Sequence, residues 1–298
     1  TDNDQTYTAA GGVLLGANIS LTATSSDILF SGTASTVNSD GTTRNLTVSA
    51  NEIEFDGAVG GSAALGAISI TGALDLDADI TSASSLSVST TSNLGADVTT
   101  TGTQTYTGAV TLSADVVLTT TNNNVTFGST IDSDSADSKR DLTLTLGSGS
   151  ASVTGIVGAT SLDVLTLNSS SSFTAAVTAT SIVNAASKTA TFSDAVTANI
   201  TNSGTLLFDT SADKSITGTI AEAAGGDTTE IKVIDSADGA PATVTFTATV
   251  AADTLTVGTS SKAGAALFAE AVTVPTINIT GGNIDAEDST VTFNKAVT

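Results

Sequence analysis

The chain has 298 residues and a formal charge of −22, from 30 Asp plus Glu against 8 Lys plus Arg. That balance repels nucleic acid and anionic membrane surfaces. The absence of Cys, His, Met and Trp removes disulfides, thiol nucleophiles, thiolate metal sites and imidazole acid–base chemistry together.

From the N-terminus, Gln5-Thr6-Tyr7 opens a pattern that returns. Phe30, a polar loop over 35–43, Arg44-Asn45-Leu46-Thr47 and Gly57-Ala58-Val59-Gly60 follow it. The second copy runs through Gln104-Thr105-Tyr106, Phe127, a loop over 133–139, Arg140-Asp141-Leu142-Thr143 and Gly155-Ile156-Val157-Gly158. Tyr7 to Tyr106 is 99 residues and Arg44 to Arg140 is 96, so the related blocks 5–70 and 104–167 differ only by short loop adjustments. Repetition of this kind marks a chain built by stacking like units. A loop inserted at the same place in both blocks is expected to protrude from one side. Each Tyr is expected to lay its ring on a loop and keep its hydroxyl wet. Arg44 and Arg140 are read as strand-start residues pairing with a nearby loop Asp, worth at most about 1 kcal/mol when exposed. The functional alternative for them is a repeated anion or partner contact.

Between and beyond the blocks, apolar residues alternate with Thr or Ser: Leu46-Thr47-Val48, Ile68-Ser69-Ile70, Leu86-Ser87-Val88, Val110-Thr111-Leu112, Leu142-Thr143-Leu144, Leu255-Thr256-Val257 and Ile277-Asn278-Ile279. Period-two alternation is the signature of strands with one buried and one wet face, and Thr suits the outer face because its β-branched side chain favours extended backbone. Seven of the nine Phe are followed four residues later by Val or Ile, as in Phe55/Val59, Phe127/Ile131, Phe192/Val196 and Phe246/Val250. Within one strand that spacing puts both side chains on one face, about 13 Å apart, and reads as one inward-facing strand per turn. Helical periodicity is nearly absent. The Phe spacings predict an all-β solenoid of roughly 12–14 coils of about 18–25 residues, a single continuous body over 1–298. A string of sandwich domains is the alternative that the block length allows. Only two Pro and no Gly/Ser spacer divide the chain, which favours the solenoid.

No catalytic set and no organic cofactor site is visible. Carboxylate-pair glycoside hydrolysis needs only Asp or Glu, but two Arg, two Tyr and no Trp are poor equipment for holding a sugar acid, so the chain is read as a non-enzyme. For a metal, structural calcium is the candidate, with Asp132, Asp134 and Asp137 offering oxygen ligands in one loop. That loop lacks the sixth-position Gly and twelfth-position Glu of an EF-hand. Asp75, Asp77 and Asp79 alternate with inward Leu76 and Ala78 and read as an acidic, solvated strand face. Thr-x-Thr runs such as Thr245-Phe246-Thr247 raise an ice-binding face, but the coil lengths read as too variable to hold a Thr ladder in register. Asn-x-Ser/Thr sequons at Asn18, Asn45, Asn124, Asn168, Asn199 and Asn278 follow from a Thr- and Asn-rich composition.

The run Gly102-Thr103-Gln104-Thr105-Tyr106-Thr107-Gly108-Ala109-Val110-Thr111-Leu112, followed by Leu118-Thr119, Val125-Thr126-Phe127 and Leu142-Thr143-Leu144, resembles the repeat regions of large bacterial surface proteins of the filamentous haemagglutinin-like class. The resemblance is best over 5–70 and 104–167. It implies a right-handed parallel β-helix, exported by a Gram-negative cell and used in adhesion or biofilm. On that basis the expected function is a structural, non-catalytic, rod-like segment of a secreted cell-surface adhesin or matrix fibre. A self-assembling S-layer or filament subunit is the second reading, and a carbohydrate-binding β-helix the third. No amphipathic helix or polar cap closes either end, so the expected partners are further repeats of the same chain or identical subunits. A host, matrix or glycan ligand is a further expected partner; nucleic acid and membrane insertion are not. The expected location is extracellular.

Overall fold

The alternating segments do form strands. The computed structural model describes residues 3–225, 228–237, 240–280 and 288–298. Among them there is no helix, and parallel strands stack as a β-solenoid of about 13 turns. The chain divides into two compact units, Thr1–Thr154 and Gly155–Thr298.

In the first unit each coil passes along three faces, and strand segments on corresponding faces pair in parallel; the longer strands Leu46–Phe55, Leu65–Leu76 and Ile80–Val88 each run through two of them. On the first face Gln5, Ile28, Ile53, Leu74, Ser92, Val110 and Ile131 form one inward column. Val13, Val37, Val59, Ile80, Val98, Leu118 and Leu144 form the second. Ile19, Leu46, Ile68, Leu86, Gln104, Val125 and Ala151 form the third. On the first face the coil from Leu74 to Ser92 takes 18 residues and that from Ile28 to Ile53 takes 25, the range expected, while the step from Ile19 to Leu46 on the third face, which contains the loop before Arg44, takes 27. Aromatic rings stack inside it: Tyr7 on Phe30 at 5.1 Å, Phe30 on Phe55 at 4.9 Å, and Tyr106 on Phe127 at 5.2 Å.

The Phe-x-x-x-Val spacing marks a corner rather than one strand. Phe55 closes the strand Leu46–Phe55 on the first face, and Val59 bridges Val37 and Ile80 on the second. Phe127 and Ile131 likewise end one strand and begin the next. The intervening small and polar residues turn the chain, so the two apolar side chains reach the core from adjacent faces.

The two related blocks are also out of phase with the coil. Gln5 and Tyr7 belong to the first face, whereas on the third Gln104 lies in the column of Leu46, Ile68 and Leu86 and Tyr106 in that of Val48, Ile70 and Val88. The block therefore is not a whole number of coils. The loop before Arg44 leaves between the second and third faces, and the loop before Arg140 leaves between the first and second. The expected single decorated side does not exist; two different corners carry the loops. What the copies do share is local chemistry. Arg44 makes a bidentate contact with Asp40 (2.9 and 2.7 Å), and its backbone N–H donates to the Ser39 hydroxyl. Arg140 repeats this with Asp134 (2.8 and 2.9 Å) and Ser133. Both guanidinium groups are thereby engaged in closing their own loops.

Turn Asn and Asp residues tie coil to coil. The Asn45 carboxamide oxygen accepts from the N–H of Ala67 at 2.9 Å, and Asn18 does the same for Asn45. Asp79 accepts from the N–H of Asp97, whose own carboxylate accepts from Val117 at 2.7 Å. Sequon residues Asn124 and Asn199 hold Ser150 and Thr219 in the same manner. These side chains satisfy corner amides that the strand ladders leave over.

The second unit has three columns of its own: Ser171, Ala190, Leu206, Ile231, Leu255 and Ile277; Val177, Val196, Ile216, Phe246, Phe268 and Phe293; and Ile182, Ile200, Ile220, Val250, Val272 and Val297. Its coils run from 16 residues (Ala190 to Leu206) to 30 (Lys214 to Val244), wider than expected. Phe173, Phe192 and Phe208 stack on one face at 5.3 and 5.7 Å; Phe246, Phe268 and Phe293 continue on another. The change of face is made by an edge-on contact of Phe208 with Phe246 at an interplanar angle of 85°. Inside one corner, buried Asn184 donates to the Asn202 oxygen at 2.8 Å, and Asn202 donates to the Gly204 carbonyl.

The repeated Gly-x-Val-Gly sequence has a steric cause in each unit. Gly60 and Gly158 adopt φ of +75° and +76°. A Cβ on either would stand 2.0 Å from a carbonyl oxygen of the next coil, that of Ser82 or Thr178. Only a residue without a side chain lets the coils close there.

Candidate functional site

The alternation that buries Ile53, Phe55, Leu74 and Leu76 turns Glu54 and Asp75 outward on the first face of the first unit. Parallel register places Glu54 beside Asp75 in the next coil, then Asn93, Thr111 and Asp132. Two residues along from Glu54 and Asp75, at the strand ends, come Asp56 and Asp77. The carboxylates of Glu54, Asp56 and Asp77 converge to within 4.8 Å of one another. Asn93 donates to Asp75 at 2.8 Å, so the amide caps the acidic row on its far side.

Like charges this close oppose one another's ionisation. Glu54 is pushed up to about 7, first by its hydrogen bond with Asp56, then by burial and by repulsion from Asp56, Asp75 and Asp77. Asp56 moves the other way. The Gly32 N–H at 2.6 Å holds its carboxylate below the ordinary value, helped by the bond from Glu54 and by the Ser31 hydroxyl. Asp77, the most exposed of the three, is raised by partial burial and by repulsion from Asp75 and Asp56. Below about pH 7 the cluster thus keeps a proton on Glu54, hydrogen-bonded to Asp56. Three carboxylates also offer the hard oxygen donors that calcium takes, and a cation placed there would replace that proton.

The sign of the pH effect follows. Glu54 has an ordinary value of 4.5 and a folded value of about 7, so the folded chain holds the proton more tightly than the unfolded one. Its contribution is fully present below about pH 4.5 and is lost as pH rises through about 7. Carboxyl ¹³C titration is expected to give Glu54 a midpoint near neutrality, and Glu54→Gln is expected to flatten the fall in urea stability between pH 5 and pH 8. A Glu54 midpoint at the ordinary glutamate value would remove the retained proton.

The three calcium candidates are placed differently. Asp132 continues the outward acidic row on the strand Ile131–Ser133. Asp134 is held by Arg140, which lowers its pKa. Asp137 sits exposed in the loop, its N–H bonded to the Ser135 hydroxyl. These three do not converge into a group like that of Glu54, Asp56 and Asp77 among the described residues. Asp77 and Asp79, expected on one strand with Asp75, instead turn the corner after the strand Leu65–Leu76. Glu54 and Asp56 were not distinguished by sequence. Their signal, acidic residues recurring at the same rung of successive coils, becomes visible only once the register is known.

No family model matches the chain, and no match is found among curated proteins or among solved structures.

Proposed function

We propose that this chain is a structural, non-catalytic segment of a secreted bacterial cell-surface adhesin or extracellular matrix fibre. The observation that carries the reading is how its polar side chains are employed. Asn18, Asn45, Asp79, Asp97, Asn124 and Asn199 bond one coil to the next, and both Arg close loops. Chemistry-bearing residues therefore serve the stack itself. The acidic exterior suits a body that must stay dispersed outside a cell, and the Gln-Thr-Tyr blocks add their resemblance to haemagglutinin-like repeats. Negative-stain electron microscopy of the purified chain is expected to show discrete single particles. End-to-end filaments or sheets would replace this reading with a self-assembling coat. Turnover of any polysaccharide in a reducing-end assay would end the non-catalytic part of it.

A further inference from the structure

The third face of the first unit differs from the acidic first face. Its outward central column runs Thr47, Ser69, Ser87, Thr105, Thr126 and Ser152, each paired in register with the next. A parallel column through Thr22, Ser49, Thr71, Ser89 and Thr107 lies two residues along each strand. Neither column holds a charged residue, although the chain carries a formal charge of −22. The largest coil-length variation is absorbed off this face, in the loops before Arg44 and Arg140, so the column stays in register.

Along the edge of this face runs an open groove of about 440 Å³ that crosses successive coils. Thr22, Thr24, Ser49, Asn51, Thr71 and Thr90 give it hydroxyl and amide walls, and Ala23, Ala50 and Gly72 complete the lining. At Gly72 (φ +142°) a Cβ would stand 2.1 Å from the Ala50 carbonyl oxygen, so the backbone keeps that part of the lining bare. On the side towards the first face, Glu52 follows Asn51, and its neighbours Asp27 and Asp75 add negative charge.

We propose that this groove, with the hydroxyl face beside it, binds an uncharged polysaccharide. Ser and Thr hydroxyls both donate and accept, so they can match sugar hydroxyls of either polarity. The half-buried Ala50 methyl and the bare backbone at Gly72 leave room for the C–H side of a sugar ring. A Ser or Thr stands at the central position of six successive coils, which lets individually weak contacts add along one polymer. The acidic rim and net charge disfavour an anionic polymer. A protein partner would be expected to meet aromatic or Arg anchors, and these two columns carry none. This inference goes beyond the structural-segment reading and does not depend on it.

Affinity electrophoresis of the intact chain in gels containing dextran, galactomannan or mixed-linkage β-glucan, with alginate as the anionic comparison, tests the proposal. The expected result is retardation by at least one neutral polymer and none by alginate. Thr71→Glu with Thr90→Glu, both on exposed groove positions, is expected to weaken that binding by about tenfold or more. Thr111→Glu on the first face is expected to leave it unchanged, and Thr71→Ser guards against a folding defect. Absence of retardation by all three neutral polymers, equal retardation of the Thr71→Glu/Thr90→Glu variant, or retardation by alginate would overturn the proposal. So would ice-growth inhibition or concentration-dependent self-association without neutral-polymer binding, which would reassign the face to a water lattice or to a second copy.

Discussion

Phe192→Ala is expected to destabilise the second unit by about 3–5 kcal/mol, the range for truncating a buried Phe. Phe192 is 1 % exposed and stacks between Phe173 at 5.3 Å and Phe208 at 5.7 Å. The substitution removes both ring contacts and leaves a cavity that parallel ladders on every side prevent from collapsing. Stability in a stacked array is approximately a sum of coil and nearest-neighbour terms, so the loss should concentrate around one coil. Hydrogen exchange is expected to accelerate first in the strands Ser171–Phe173, Thr189–Phe192 and Thr205–Asp209, which pair with one another. Phe192→Leu, which keeps most of the volume, is expected to lose much less. A urea-derived loss below about 1 kcal/mol for Phe192→Ala would mean that the ring column does not support the stack.

The fold class could be read from the chain because its two signals are local. Alternation in Leu46-Thr47-Val48 or Leu255-Thr256-Val257 needs only neighbouring residues to predict a half-buried strand, and the recurrence of Phe sets the coil length. What failed to transfer was phase. Phe55 and Val59 are four residues apart whether they lie on one strand or straddle a corner; the spacing is the same and only the backbone turn differs. The Gln-Thr-Tyr copies carry the same ambiguity on a larger scale. Their separation of 99 residues says that a block recurs, but which face receives the second copy depends on every intervening coil length. Pairing Gln5 with Ile28 and Gln104 with Leu86 settles the face, and no one-dimensional pattern does so. The acidic cluster is subject to the same limit. Glu54, Asp56 and Asp77 become one electrostatic unit because the strands holding Glu54 and Asp75 are in register. By contrast, the pairing of Arg44 and Arg140 with a nearby loop Asp was legible because the partners, Asp40 and Asp134, lie only four and six residues away.

Gln104→Leu is the substitution with the second large expected effect, and its cause is polar rather than apolar. Gln104 is fully buried; its side-chain amide donates to the Val98 and Thr119 carbonyls at 3.1 and 3.0 Å and to the Thr100 hydroxyl at 3.3 Å. Its oxygen accepts the Tyr106 hydroxyl at 3.2 Å. Tyr106 is 0 % exposed, contrary to the wet hydroxyl that its sequence suggested, and burial raises its pKa. Leucine fills most of the volume but removes the donors and strands the phenol without its acceptor. Each buried group left unpaired costs about 1–3 kcal/mol, so a total loss of about 3 kcal/mol or more is expected in urea titration. Adding Tyr106→Phe removes the stranded hydroxyl, and the double variant is expected to be more stable than Gln104→Leu alone, a non-additivity that a double-mutant cycle reads directly. At the first copy, Gln5 and Tyr7 keep the same internal bond at 3.2 Å but are only half-buried. Water can replace the lost partners there, and Gln5→Leu is expected to cost distinctly less. Equal losses at Gln5 and Gln104, or strict additivity at Gln104 and Tyr106, would show that the buried amide does not hold this corner of the coil.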